Sequence, residues 1–332
     1  MNPRLLKILK YGLSAGLLAW LIIGTDLQRV MILIADADRG GLALATATYL
    51  VSVVITAYRW QLLLVARKIP LSLSRATSLY FIGNFFSNFL PTSIGGDAVR
   101  AFSAAADLGK RDDAFASVFI ERFMGLFAIV SMALLGFLLI ALELEHTYII
   151  PATVALYILM IAAFPLLFSR MGVDGLKKIY AGVKIFDIGE RAARLHEVLY
   201  QYGIHRGTLV ANFILSVIYQ GVIVIMNVFV AQSLGLPIHP MYFVVFVPII
   251  GTISMFPFSI NALGVREGGY VLLFAQIGRP DSEALALSLL LYGITVLSSL
   301  PGGLLFAIKK NRNPAASGPE QVPMGIISKD IS

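Results

Sequence analysis

A ten-residue stretch with a Pro at its start and an Arg at its end occurs twice in this chain, each time as a polar break in apolar sequence. PTSIGGDAVR, from Pro91 to Arg100, lies over PFSINALGVR, from Pro257 to Arg266, at a shift of 166 in a chain of 332 residues. Pro, Ser, Ile, Val and Arg coincide without a gap. Matched Leu or Ala would carry little weight here, whereas Pro and Arg are rare in such surroundings. The chain therefore reads as two structural repeats, each built around one broken, charged element.

Those surroundings are membrane-like. Hydrophobic residues make up 58% of the chain and charged residues 14%, against roughly 45–50% apolar and about 25% charged in soluble domains. Apolar runs repeatedly reach the roughly 17–25 residues that an α-helix needs to cross a bilayer. They lack the apolar–polar alternation of transmembrane strands. The expected fold is thus an all-α integral membrane protein. The net charge of +7 falls mostly in loops, where it sets topology and meets anionic headgroups; nothing points to nucleic acid. The absence of Cys excludes disulfides, thiolate metal sites and Cys nucleophiles, and four scattered His residues (146, 196, 205 and 239) have no ligand spacing. No metal site and no cofactor are expected.

The apolar pattern predicts six full spans, over about 8–24, 42–65, 115–142, 149–168, 208–232 and 284–308. Two stretches, 76–90 and 242–256, are too short for spans and read as first legs of re-entrant helical hairpins. Pro91 ends the first leg because it lacks a backbone donor and restricts its predecessor. Gly95 and Gly96 permit a tight reversal into a second leg over 98–106. In the other half Pro248, Gly251 and Pro257 break the leg, and 270–277 returns.

Residues 1–310 form one polytopic membrane domain, with repeat 1 at about 42–142 and repeat 2 at about 208–308. Between them, 170–206 carries Leu195, Leu199 and Tyr202 at helical spacing with Lys and Arg on other faces. It fits an amphipathic cytoplasmic helix on an anionic leaflet, or equally a solvated connector. The tail over 311–332, rich in Pro, Ser and Gly, is expected to be disordered. The Lys and Arg of the short loops put both termini in the cytoplasm of a protein of the cell membrane. One hairpin then enters from inside and the other from outside. Inverted repeats with broken helices are the pattern of secondary transporters, with a site near the midplane. The two tips are expected to meet there.

Ionisable side chains deep in a bilayer cost ~2.5–3.5 kcal/mol each on insertion scales, so they face a cavity and a partner. The candidates are Asp97, Arg100, Glu121, Arg122, Arg266 and Glu267. Guanidinium is permanently charged and presents a planar fork suited to phosphate. Helix starts after Gly96 and Gly264 would add free N–H groups and a positive dipole end. Gly95, Ser93, Ser259 and Asn261 complete the expected phosphate site at the two tips. The carboxylates would balance the arginines or carry a coupling proton. Equally, Arg100 with Asp97 and Arg266 with Glu267 would serve as ion pairs that hold the tips in place. Arg59 and Trp60 sit where a snorkelling Arg and a belt aromatic belong, at the end of a span.

The motifs LPTSIGGDAVR, ERFMGL, AYRW and INALGVREGG together resemble the membrane domain of lysylphosphatidylglycerol synthases, over most of residues 5–310. The resemblance implies a flippase-like protein that translocates lipids, notably aminoacylated phosphatidylglycerol. Residue by residue it carries over Pro91, Gly95, Gly96, Asp97 and Arg100, then Glu121, Arg122, Gly264 and Glu267. No synthase domain follows residue 310, so the chain is not expected to make the aminoacyl lipid. The expected function is a lipid translocase for an anionic or phosphate-bearing lipid: a phospholipid, an aminoacyl-phospholipid or a polyprenyl phosphate. It would be no enzyme; its partners would be membrane lipids and a separately encoded lipid-synthesis enzyme. The alternatives are a non-transporting partner of envelope-synthesis enzymes and a membrane enzyme acting on headgroups. Without a G-x-x-x-x-G-K-[ST] loop, transport would be passive or ion-coupled.

Overall fold

The computed structural model of the protein describes residues 23–89, 95–140, 149–170, 188–255 and 260–312, with positions 12, 16, 17, 19–21, 173 and 174. Most of the expected first span, the tail, and Pro91, Ser93, Pro257 and Ser259 lie outside the described residues. Among those described, no strand occurs.

Helices α1 (Leu27–Ala35) and α2 (Arg39–Ala66) are followed by α3 (Leu73–Phe89), α4 (Gly95–Leu108), α5 (Arg111–Ile140) and α6 (Ile149–Phe168). Next come α7 (Ile188–Ile204), α8 (Arg206–Ser233), α9 (Pro240–Met255), a 3-10 turn at Ile260–Ala262, α10 (Val265–Ala275) and α11 (Asp281–Arg312). Among the described residues, four helices, α2, α5, α8 and α11, are long and apolar enough to cross a membrane. The 28 residues of α2 rise about 42 Å, more than the ~30 Å hydrocarbon core. The protein is therefore a multi-pass, all-α membrane protein.

Local chemistry starts these helices where the sequence changes character. Asp26 and Asp38 cap α1 and α2, accepting from Arg29 N at 3.0 Å and Gly41 N at 2.6 Å; each satisfies an N–H that the first turn leaves unpaired. At the far end of α8, Gly235 adopts a φ of 66° and Leu236 N returns to Ala231 O at 3.0 Å. Glycine tolerates this left-handed position, so the helix stops there.

The long helices join through small and polar residues, as they must where lipid supplies no hydrophobic drive between helices. Helices α2 and α8 run antiparallel: Asp38 N donates to Ser233 O at 2.8 Å, and Asn212 Nδ2 donates to Arg59 O at 2.9 Å. A Cβ on Gly302 of α11 would fall 1.9 Å from Phe81 O of α3. Likewise, a Cβ on Gly136 of α5 would fall 2.9 Å from the Val245 side chain of α9. Each short leg thus lies against a long helix of the other half of the chain.

Two expectations change. Gly95 and Gly96 do not make the reversal; they form the first turn of α4. What Gly96 supplies is space, because a Cβ there would meet Gly83 O at 2.0 Å and Ser87 Oγ at 2.1 Å. Nor do Pro248 and Gly251 break α9, which runs through both. The helix is flanked by α5, α8 and α10, and such support keeps a Pro-containing membrane helix intact. Within the expected connector, helix α7 docks its apolar stripe on the bundle. Leu199 and Tyr202 are buried with Ile120 and Phe168, and His196 Nε2 lies 2.8 Å from Leu166 O.

Candidate functional site

The charged residues gather on one face of α5. Ser117, Glu121 and Gly125 recur at intervals of four, which on a helix stacks them in one row. Ser117 Oγ accepts from Trp60 Nε1 at 2.9 Å, which seats α2 against that row. Arg59, the residue before Trp60, then reaches Glu121: its Nη2 donates to Glu121 O at 3.1 Å and lies 3.7 Å from Glu121 Oε1. Gly125 leaves the notch it occupies, the nearest guanidinium nitrogen being 3.4 Å from where a Cβ would stand. Arg59 is only 3% exposed. It is not at a membrane boundary but inside the protein, because α2 continues to Ala66 and α5 and α8 cover it.

Glu121 is the hub of the cluster. Its carboxylate accepts from the Tyr80 hydroxyl and forms an ion pair with Arg100 Nη2 at 2.9 Å. Arg100, 2% exposed, is also flanked by two aromatic rings, with its guanidinium carbon 4.1 Å from the Tyr80 centroid and 4.7 Å from that of Trp60. Such cation–π contacts stabilise a guanidinium where water cannot. Asp97 lies 3.5 Å from Arg100 Nη2 but belongs chiefly to Arg122. Arg122 Nε and Nη2 donate to its two oxygens at 2.7 and 2.9 Å, the bidentate fork that guanidinium and carboxylate geometry favours.

In the second half the constellation is smaller. Arg266 pairs with its neighbour Glu267 and stacks 4.3 Å from the Tyr292 ring. Glu267 also accepts from Gly264 N at 2.7 Å, closing the first turn of α10, and Gly264 permits this with a φ of 81°. Asn261 takes a left-handed conformation, φ 50° and ψ 34°, in the turn before it.

A cavity of about 400 Å³ connects the two constellations. Its walls include Arg59, Glu121 and Arg122 from one half and Arg266 from the other, with Tyr80 and Asn84 of α3 facing Gly251 and Ser254 of α9. Both short legs therefore border one space. The two arginines that match at the shift of 166 are not equivalent there. Arg266 lines the cavity, whereas Arg100 and Asp97 stand behind the wall and act through Glu121 and Arg122. Gly95, Gly96, Asn261, Gly264 and Glu267 also lie off the wall.

Across the cluster four guanidinium groups meet three carboxylates, Asp97, Glu121 and Glu267, leaving one positive charge unbalanced. Arg59 Nε and Arg266 Nε have no hydrogen-bond partner among the described residues. In surroundings of low dielectric such groups favour an anion. Tyr219 and Tyr80 are among the wall residues that sequence reasoning passed over, and Arg59 is one that it placed at the membrane boundary. The signal available was the Glu121–Gly125 spacing inside ERFMGL, which marks a helix face with a charge beside a gap.

The chain matches the family described as the lysylphosphatidylglycerol synthase TM region over residues 7–302. A UPF0104 membrane protein of Pyrococcus horikoshii is 30% identical over 219 residues, covering 65% of this chain and 59% of that protein. The chain thus spans less than two-thirds of that relative's length. No solved structure matches.

Proposed function

The chain belongs to the family of the lysylphosphatidylglycerol synthase transmembrane region, and on that premise we propose that it is a lipid translocase. Its cargo is an anionic or phosphate-bearing lipid whose phosphate enters the cavity between the two short-leg pairs. The observation that carries this reading is the cavity wall itself: Arg59, Arg122 and Arg266 converge on one space with a net positive cluster. A phosphate there would take hydrogen bonds from guanidinium groups that the protein leaves partly unpaired. The chain would act as a carrier rather than an enzyme, with membrane lipids as its partners and a lipid-synthesis enzyme supplying them.

The alternating-access part of the proposal rests on inverted repeats with re-entrant hairpins. Support comes from helix boundaries: moved by 166, α2 falls on 205–232 against Arg206–Ser233, and α3 on 239–255 against Pro240–Met255. The corresponding helices α2 and α8 are antiparallel, as an inverted pair must be. The cross-contacts α3 on α11 and α9 on α5 also correspond. In this arrangement both termini are cytoplasmic, and one hairpin pair gates each face of the cell membrane.

Proteoliposomes carrying a headgroup-labelled anionic phospholipid test the proposal. The wild type should equilibrate the label between leaflets, and the double variant Arg59→Gln, Arg266→Gln should slow it by more than about tenfold, the loss of one charge-assisted hydrogen bond. No movement with the wild type, or unchanged movement in the variant, overturns it.

A further inference from the structure

We propose that the two short-leg pairs play unequal parts in transport. Helices α3 and α4 are the fixed wall of the cavity, α9 and α10 are its moving gate, and the hydrogen bond from Tyr270 to Asn227 is the latch that an anion at Arg266 releases. This inference rests on the reading of the protein as an alternating-access carrier with an anion site; it adds which half moves and what starts the movement.

The first ground is how each pair is held. The Glu121 carboxylate ties α3 to α5 through the Tyr80 hydroxyl and α4 to α5 through Arg100. A second tie between α4 and α5 is the fork of Arg122 on Asp97. On its other side α3 is fastened to α11: Asn88 Nδ2 donates to Ser299 Oγ at 3.1 Å, and the Phe86 and Phe306 rings meet edge-on with centroids 4.9 Å apart. Moving this pair would separate buried ion pairs and leave their charges uncompensated. At the shift of 166, Trp60, Tyr80 and Glu121 fall on Met226, Phe246 and Leu287, all three buried. Helix α9 accordingly rests on α5 through apolar contacts, Val245 at Gly136 and Ile129 at Gly251. Apolar contact is non-directional, so these surfaces can slide without stranding a polar group. Pro248 lies inside α9 and lacks the N–H that the carbonyl of Val244 would accept, which weakens the helix at that point.

The second ground is the latch. The Tyr270 hydroxyl donates to Asn227 Oδ1 at 2.5 Å and so joins α10 to α8, with the two residues 5% and 2% exposed. Arg266 and Tyr270 are four positions apart on α10 and share a face; both line the cavity, as does Asn227. Arg266 Nε, without a hydrogen-bond partner among the described residues, is the donor left for an anion. A phenol has one proton to donate. An anion seated against Arg266 stands within a turn of that hydroxyl and competes with Asn227 for it, and a hydrogen bond to a charged acceptor is the stronger of the two. The anion therefore binds better to the unlatched state, which is the differential that any ligand needs to move an equilibrium.

The experiment measures distances between spin labels. The chain has no Cys, so labels go only where Cys is introduced. Leu50 on α2, Leu272 on α10 and Ala106 on α4 are all exposed, and the pairs 50/272 and 50/106 report the gate and the wall against one reference. The full-length protein is studied in a phosphate-free maltoside detergent, with and without phosphatidylglycerol, and with diacylglycerol as control. Native mass spectrometry of the same samples reads lipid retention. We expect phosphatidylglycerol to move the 50/272 distances to a second population and to leave the 50/106 distances unchanged. Without lipid, Tyr270→Phe should raise the ratio of the second population to the first about fivefold or more, the worth of one hydrogen bond. Asn227→Leu, which removes the acceptor instead, should do the same. In Arg266→Gln the lipid should no longer move α10, while adding Tyr270→Phe still should. Movement of the 50/106 pair, or 50/272 distances unaltered in both latch variants, overturns the gate assignment while the anion site stands. Retention of phosphatidylglycerol only at the level of diacylglycerol overturns the anion-site reading, and 50/272 and 50/106 distances that are fixed under every condition overturn alternating access itself.

Discussion

Arg100 Nη2 lies 2.9 Å from Glu121 Oε2, with the two side chains only 2% and 4% exposed. The pair is not closed: the same carboxylate serves Arg59 and the Tyr80 hydroxyl, and the guanidinium is wedged against Trp60 and Tyr80. One acid therefore organises α2, α3, α4 and α5 around the cavity.

This sharing makes the two deletions unequal. Removing one partner of a buried ion pair costs about 3–5 kcal/mol. Glu121→Ala deprives both Arg59 and Arg100 of their common carboxylate, whereas Arg100→Ala leaves Glu121 with Arg59 and Tyr80. Thermal unfolding in detergent should drop further for Glu121→Ala, and the opposite order would contradict the hub arrangement.

Gly96 is required for its lack of a side chain. The 2.0 Å approach to Gly83 O and the 2.8 Å approach to Ser87 N are to backbone atoms, which cannot swing aside. Gly96→Ala must push α4 off α3, at a cost of at least about 1–3 kcal/mol. Gly268→Ala, with nothing within 4 Å, serves as the control and should unfold at the wild-type temperature or slightly above it.

Glu267 has two separable roles, and graded substitution separates them. Glu267→Gln keeps an acceptor for Gly264 N but loses the charge opposite Arg266. Glu267→Ala loses both and should cost about 1 kcal/mol more, the usual worth of an N-terminal cap. Chemical denaturation that ranks the two equally would mean that the cap contributes nothing.

Ala262 holds a φ of 57° immediately after Asn261 in the turn leading to α10. A left-handed L-residue costs roughly 1–2 kcal/mol, and glycine gives back about 0.5–1 kcal/mol through unfolded-chain entropy. Ala262→Gly should therefore stabilise the protein by roughly 0.5–1 kcal/mol. A lower unfolding temperature would contradict this.

Asp97 competes with any anion for the Arg122 fork. Arg122 is 53% exposed and lines the cavity, so releasing it raises both its availability and the local positive charge. Asp97→Asn should increase retention of an anionic phospholipid roughly two- to fivefold, the worth of a partly exposed ion pair. A decrease in the same native mass-spectrometry assay would identify Asp97 as the group that aims Arg122 instead.

Much of the fold was legible because the helix spacing and apolar length that specify a membrane helix are local properties. The expected spans 42–65, 208–232 and 284–308 lie within Arg39–Ala66, Arg206–Ser233 and Asp281–Arg312. Where the reading missed, the deciding contact was distant. Pro248 and Gly251 looked like a break because sequence lists their intrinsic preferences, not the helices that flank α9. Gly96 looked like a turn residue because glycine serves conformational freedom and close approach alike, and Gly83, which distinguishes them, sits on another helix.

By itself the sequence determined that this is a multi-pass helical membrane protein, where its long helices run, and that a small set of Arg, Asp and Glu residues would have to find partners inside. Only the tertiary structure decided which of them face a common space. Arg59 and Glu121 are 62 positions apart, and their meeting depends on Trp60 seating against Ser117 and on the notch at Gly125. Arg100 and Arg266 carry the same motif, yet one is enclosed and the other lines the cavity. The reason is that α5 offers Glu121 to Arg100, while the matching position of α11 is Leu287, so Arg266 turns to its own neighbour. Periodicity assigns a side chain to a face of its helix; what covers that face is fixed only when the other helices pack.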